Sequence, residues 1–324
     1  MIYRKLGKTG IEASEISFGA WAIGGGWGEQ SDEESLAALH KAIDLGVRFI
    51  DTAAGYGDGR SEQVIAKVLK ERSEEVAVAT KTPPAAGPWP PSPYCNWSDR
   101  YSEEYLRGNI EERLRCLDTD TIDLLQLHTW TRAWNRDPQP FLILQKLKEE
   151  GKIRSVGIST PEQDQNSVID LMKAGLVDTV QVIYNIFEQE PAAELLPVAE
   201  ECGVGVIVRV AFDEGSLTGK FTPEHQFAKD DFRANYFAGD RLGRSIQRVD
   251  AIKANIEGSG LTMPQFALKY VLSHPAVSCV IPGMRSVRQA ELNCAVSDLP
   301  GIADEYLLKM RDHAWNRGVW YSGK

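Results

Sequence analysis

The chain has 324 residues, 43% of them hydrophobic and 25% charged, a balance that allows a globular protein with a substantial core. Its formal net charge of −10 argues against nucleic acid or an anionic membrane as partner, while leaving room for a local basic pocket that takes a phosphate. Five scattered cysteines (Cys95, Cys116, Cys202, Cys279, Cys294), with no C-x-x-C spacing, argue against a disulfide framework or a zinc site and point to a reducing, cytoplasmic setting.

In chain order, the opening MIYRKLGKTGIEAS has no apolar run of the secretory kind, and no stretch reaches the roughly 18 apolar residues of a membrane helix. Tyr3 to Leu6 and Ile11 to Ile16 flank the turn signal GKTG, which predicts a β-hairpin. Thereafter short runs rich in Val and Ile (ISFGAW, VRFID, VAVATK, IDLLQLH, SVGIS, TVQVIYN, GVIVRV, SCVIPG) alternate with segments of helical period such as DEESLAALHKAIDLG and SEQVIAKVLKE. Eight strand candidates alternating with helices predict an α/β fold, a (β/α)8 TIM-type barrel capped by the hairpin, in one domain over residues 1–324. An open doubly wound sheet binding a dinucleotide would carry G-x-G-x-x-G in its first strand-to-helix turn, and here that turn reads GAWAIGGGWGEQ. Two connections are unusually long, at about 82–101, rich in Pro and Trp, and at about 212–243. Both follow strands, on the side of a barrel where loops build sites.

Three polar residues close apolar runs: Asp51 after VRFI, Lys81 after VAVAT and His128 after IDLLQL, with Tyr56 in the glycine-flanked GYGDG. On a parallel barrel these side chains converge at the carboxyl-end face. A lysine ending an apolar strand needs an anion nearby, and Asp51 is the candidate. By themselves Asp51 and Lys81 could be a salt bridge tying two strands together. Tyr56 adds chemistry, because a phenol of ordinary pKa near 10 becomes a usable acid closer to neutrality when a cation stabilises its phenolate. His128 could then orient a carbonyl oxygen for attack.

On these residues the chain resembles the aldo-keto reductase superfamily over nearly its whole length. GVRFIDTAAGYGDGRSE is similar to the segment bearing that family's Asp and Tyr, ATK to its lysine strand and LLQLH to its histidine strand. The resemblance implies that Tyr56 is the general acid in reduction, that Lys81 and Asp51 tune it, and that His128 orients the carbonyl. It implies a nicotinamide cofactor too, with Ala20 and Trp21 beside it, and Ser159 and Gln181 at its carboxamide. Gly215, Ser216, Leu217, Gly219 and Lys220 of GSLTGK would lie over the pyrophosphate, and Gly283, Arg285, Gln289 and Asn293 would hold the adenosine end. Arg285 suits a 2′-phosphate, so NADPH is expected ahead of NADH. IPGMRSVRQ is also a plausible anion site by its chemistry, a strand end and helix start carrying Arg285 and Arg288.

The chain departs from the family pattern in places. Thr160 stands where Asn is usual, Arg209 where an aromatic ring commonly stacks on the nicotinamide, and Leu292 where an acidic residue often meets adenine. A guanidinium can stack, but it would repel an oxidised, cationic ring, which favours carbonyl reduction. Asp213 and Glu214 put negative charge beside the pyrophosphate loop.

Aromatic residues gather where substrate would sit: Trp21, Trp27, Trp89, Tyr94, Trp97, Trp130, Trp134, Trp320 and Tyr321. Trp21, Trp27, Trp89 and Trp130, with Arg132, are expected to line the substrate pocket, whose walls suit aromatic aldehydes or the C–H faces of sugars. The expected activity is NADPH-dependent reduction of an aldehyde or ketone, including a sugar, with a small carbonyl compound as the partner and a monomer expected ahead of an oligomer as the assembly. The alternative is a cofactor-binding sensor or regulatory subunit with little turnover. A metal-dependent barrel enzyme would need several ligands at strand ends, and only His128 of five histidines sits at one, so no metal is expected.

Overall fold

The computed structural model describes residues 1–316; the expected aromatic contributors Trp320 and Tyr321 lie outside them. The hairpin forms as predicted, with β1 (Tyr3–Lys5) antiparallel to β2 (Glu12–Ser14). Eight parallel strands follow: β3 (Phe18–Gly19), β4 (Phe49–Asp51), β5 (Ala77–Thr82), β6 (Ile122–Leu127), β7 (Ile153–Ser159), β8 (Thr179–Ile183), β9 (Gly205–Arg209) and β10 (Val277–Val280). Their order in the sheet is their order in the chain. Parallel bridges Ile16 to Val280 and Gly19 to Gly283 join the first strand to the last and close the barrel.

Each predicted apolar run became a strand because both of its faces are covered, one by the barrel interior and one by the helix ring, which selects Val- and Ile-rich runs without alternation. Phe49, Ala79, Leu124, Ile207 and Cys279 fill the interior, and Leu6 of the hairpin joins the same cluster. The hairpin therefore plugs the barrel floor. It comes close because Gly7 and Gly205 lack side chains: a Cβ on Gly7 would lie 2.3 Å from the Gly205 backbone nitrogen.

The helices begin where local chemistry says they should. Ser31 caps the Asp32–Asp44 helix in a capping box with Glu34, and Ser286 caps the Val287–Cys294 helix through the Gln289 amide. Among the described residues no helix is long and apolar enough to cross a membrane. The long connection after β9 is partly structured, with a 3-10 segment at Asp213–Thr218 and a short helix at Arg233–Tyr236, and a further helix, Arg241–Asn255, takes its last residues. Its aromatic side chains make a satellite core of their own, Phe221, Tyr236 and Phe237 with Phe227 and Phe232 against them. An aromatic cluster of this kind is what lets a connection of that length hold a shape.

Candidate active site

Asp51 ends β4, Lys81 lies one residue before the end of β5, and His128 follows β6, so three adjacent strands bring the groups together at one mouth of the barrel. Lys81 is wholly buried. Its Nζ donates to Asp51 Oδ2 at 2.6 Å and to the Thr52 carbonyl at 2.8 Å, and lies 3.4 Å from the Tyr56 hydroxyl. The other Asp51 oxygen accepts from Gln181 Nε2 at 2.7 Å and from Gln126 Nε2 at 3.2 Å. Fully hydrogen-bonded in this way, a buried ion pair keeps its charges and its geometry.

Burial raises the Tyr56 pKa above the ordinary phenol value, with Lys81 pulling it down and Asp51 pushing it up. The resting group is a protonated phenol, not the near-neutral acid expected from the lysine alone, because desolvation of the phenolate outweighs the cation. Burial works against the Lys81 charge as well, but Asp51 and Tyr56 more than offset it and hold that pKa up. His128 faces Tyr56 edge-on, ring centroids 5.9 Å apart. Burial, then the positive charges of Lys81 and Arg209, keep its pKa well below the ordinary value, so the ring is neutral. A neutral imidazole, a phenol and an adjacent ammonium can together bind a carbonyl oxygen and deliver a proton to it.

Asp51, Tyr56 and His128, with Lys81 buried behind them, line one end of a cavity of about 900 Å³ that runs past Ser159, Gln181 and Arg209 to Gly215 and Lys220, and on to Gly283, Arg285, Gln289 and Asn293. Ala20, Trp21, Trp27 and Trp89 line it as well. Trp21 stacks near Tyr56 at 6.2 Å and meets Trp27 edge-on at 5.5 Å, while Trp89 stands edge-on to His128 at 5.5 Å. The Trp89 loop is held by Arg100, which donates to the Ala85 and Pro88 carbonyls at 2.8 and 3.1 Å.

Comparison with known proteins agrees with this geometry. The Aldo/keto reductase family model matches residues 15–312. The chain belongs to that family. Aldo-keto reductase YhdN of Bacillus subtilis is 32% identical over 308 residues, 93% of this chain and 89% of its own length. The NADH-specific methylglyoxal reductase of Escherichia coli is 28% identical and spans 95% of this chain and 97% of itself. Among solved structures, the glycerol dehydrogenase of Gluconobacter oxydans superposes with a TM-score of 0.78 at 27% identity, covering 96% of this chain and 94% of its own. The family and its named relatives make the protein an oxidoreductase that uses a nicotinamide cofactor.

The residues present in this aldo/keto reductase fit such a cofactor. Three buried polar atoms without a partner belong to side chains lining the cavity: Trp27 Nε1, Thr129 Oγ1 and Arg209 Nε. All three can donate, which complements an acceptor-rich dinucleotide. Midway along the cavity, burial and the guanidiniums of Arg233 and Arg285 hold the Lys220 ammonium below its usual pKa. Cations crowded together in an acidic protein suit a phosphate. Among the described residues no group of three or more His, Cys, Asp or Glu side chains could hold a metal ion.

Several expected contacts are placed differently. Trp130 is fully buried away from the cavity, packed on Trp134 and Phe141 at 5.1 and 4.9 Å, with its Nε1 donating to Asn135. Arg132 pairs with Asp164 at the surface. Neither lines the pocket, because the residues after β6 turn back onto the Gln139–Glu149 helix. Trp97 donates to Asp137, and Tyr94 is almost fully exposed. In the GSLTGK segment, expected to lie over a pyrophosphate, Gly215, Thr218 and Lys220 face the cavity, but Ser216, Leu217 and Gly219 do not. Leu217 is core, Ser216 donates to Asp213, and Gly219 abuts Lys253 and Met263. That bond and the Tyr236 hydroxyl draw the Asp213 carboxylate into its own loop, while Glu214 keeps a place on the cavity wall. Val210, Asp213 and Glu214 take left-handed backbone conformations (φ 58°, 45° and 54°), strain concentrated where the chain turns across the cavity.

Four residues escaped the sequence reading. Gln126 helps to hold Asp51, Gln165 takes the Thr160 hydroxyl, and Phe232 and Arg233 of the long connection reach over to the glycine-rich turn. Phe232 packs on Trp21 and Trp27 at 4.9 and 5.1 Å, its amide donates to the Gly26 carbonyl, and Arg233 lies over Trp27 at 4.4 Å. The only hint had been the length of a connection on the carboxyl side.

Proposed function

We propose that this enzyme uses NADPH to reduce an aldehyde or ketone, a small oxygenated compound or sugar among them, with Tyr56 as proton donor. The observation that carries the reading is the Asp51–Lys81–Tyr56 chain of 2.6 and 3.4 Å contacts facing a neutral His128 at the end of a long, cation-bearing cavity. The bound nicotinamide supplies the hydride. His128 and Tyr56 bind the carbonyl oxygen between them, so the carbonyl carbon is presented to the hydride donor while its oxygen is polarised. The burial-raised pKa keeps Tyr56 protonated until negative charge develops on that oxygen, at which point the phenol gives up its proton. The phenolate left behind is stabilised by Lys81, and Lys81 is held charged by Asp51.

Lys220, Arg233 and Arg285 would meet the cofactor phosphates, and Ser159 with Gln181 its carboxamide. Arg285 is fastened to the glycine-rich turn through the Trp27 and Glu29 carbonyls, both at 2.6 Å, and through Gln30 Oε1 at 2.9 Å. With five donors on a guanidinium, two remain for a 2′-phosphate. The relatives named for methylglyoxal, glycerol and L-galactose favour small, oxygen-rich substrates, and the aromatic wall of Trp21, Trp27 and Trp89 offers apolar faces to their C–H groups.

The test is a titration with NADPH and NADH read by tryptophan fluorescence, followed by addition of small aldehydes, ketones and sugars. Tight NADPH binding with carbonyl-dependent oxidation of the cofactor is the expected result. Preference for NADH would overturn the cofactor choice, binding without turnover on any carbonyl would favour a sensing role, and no binding would overturn the reading of the cavity.

A further inference from the structure

Arg209 ends β9 with its side chain on the cavity wall. Its Nη2 donates to the Thr160 carbonyl at 3.1 Å, its Nη1 lies 3.5 Å from Glu162 Oε1, and its Nε is buried without a partner. Glu162 lines the same cavity, and both side chains are about four-fifths covered. The pair is thus a fixed dipole in the wall and not a solvated surface bridge. Tyr56 and His128 line this cavity too, and besides Lys81 it is the Arg209 charge that bears on the neutral His128, and on Tyr56 as well. The guanidinium charge therefore bears on the reacting groups across the cavity they share, with Glu162 beside it to offset part of that charge.

A carbonyl held by Tyr56 and His128 needs its hydride donor in van der Waals contact. The nicotinamide must then share this end of the cavity with Arg209. On reduction the carbonyl carbon gains a hydride and its oxygen a proton from Tyr56, and the cofactor ring, having given up the hydride, is left with one positive charge. A fixed cation nearby costs little against the neutral reduced ring and opposes the cationic oxidised one. We infer that the Arg209–Glu162 pair sets the balance between the two cofactor forms, with Arg209 disfavouring the oxidised form and Glu162 moderating it. The inference rests on the cavity being the nicotinamide site.

The two charges act with opposite sign, which separates poise from support. The measurement is the dissociation constant of the oxidised and of the reduced form of one cofactor, by fluorescence titration of the whole enzyme, for wild type, Arg209→Gln, Arg209→Lys and Glu162→Gln. Wild type should bind the reduced form more tightly. Arg209→Gln should lower the oxidised-to-reduced ratio of dissociation constants by about tenfold, Arg209→Lys should keep most of it, and Glu162→Gln should raise it by about threefold, as expected of a partly screened charge within several ångströms. A merely structural pair would weaken both forms together. Ratios that stay within twofold of wild type, or that move in the same direction for Arg209→Gln and Glu162→Gln, overturn the inference while leaving the cavity reading intact. Failure of wild type to bind either form overturns the cavity reading and the inference with it.

Discussion

Trp130 and Trp134 follow β6, and Trp21 and Trp27 follow β3, all on the carboxyl side of the same barrel, yet the first pair is core and the second is cavity wall. After β6 both indole N–H groups are satisfied within the protein, Trp130 by Asn135 at 2.7 Å and Trp134 by the Cys95 carbonyl at 2.9 Å. Phe141 of the next helix closes over Trp130. After β3 the chain runs through Gly25, Gly26 and Gly28 at positive φ with open space where a Cβ would stand, and Trp27 Nε1 finds no partner. The lesson is that a tryptophan's role is set by its neighbours: a loop able to answer its N–H and cover its face draws it into the core, and a glycine run cannot.

That division predicts that chemistry and stability separate on substitution. The largest expected effect is on the cavity side, where Tyr56→Phe removes the transferable proton and should lower kcat by about 10²–10⁴-fold. Cofactor dissociation constants and the thermal midpoint should stay near wild type. In the wild type, reduction should remain level as pH falls through about 6.5, where an ordinary histidine would titrate, because His128 stays neutral below that value. Retention of most activity in Tyr56→Phe would remove this residue from the mechanism.

On the core side, Trp130→Ala should cost about 3–5 kcal/mol of unfolding free energy, the usual range for emptying a large aromatic site. Denaturant melts would show it, and the same variant should keep its KM at temperatures where it is folded. A shifted KM with unchanged stability would return Trp130 to the pocket. Lys81→Met tests the boundary, since Lys81 is both wholly buried and in contact with Tyr56. Stranding Asp51 without its cation should cost about 3–5 kcal/mol and abolish turnover together, so a stable but inactive variant would mean that Asp51 is satisfied by Gln126 and Gln181 alone.

The same contrast explains what the sequence could disclose. The barrel was readable because apolar runs covered on both faces repeat eight times, and Asp51, Lys81 and His128 stood out as polar residues ending such runs. Position relative to a strand is a local property. Which way Trp130 or Arg132 turns after its strand depends on Phe141 and Asp164, partners at intervals no periodicity encodes. Arg233 was hidden for the same reason, since it becomes a wall residue only when an aromatic cluster folds the long connection back onto Trp27. The pKa of Tyr56 was misjudged because a motif names the nearby cation but not the depth of burial.

Trp27 offers the smallest effect and the finest test of the division. It touches Trp21, Phe232 and Arg233 but lies on a glycine-rich turn that Arg285 and Gln30 hold in place through backbone and side-chain atoms other than its ring. Trp27→Ala should therefore leave the turn anchored and cost little stability, about 1 kcal/mol for aromatic and cation contacts at a partly exposed site. KM for the carbonyl substrate should rise by about three- to tenfold, with kcat changed much less, because the lost contacts serve ground state and transition state alike. A fall in kcat as large as that of Tyr56→Phe would place Trp27 with the reacting groups and not with the wall. A loss of stability approaching that of Trp130→Ala would show that the roof over the cavity is as much core as the loop after β6, and the division drawn between the two pairs of tryptophans would fail.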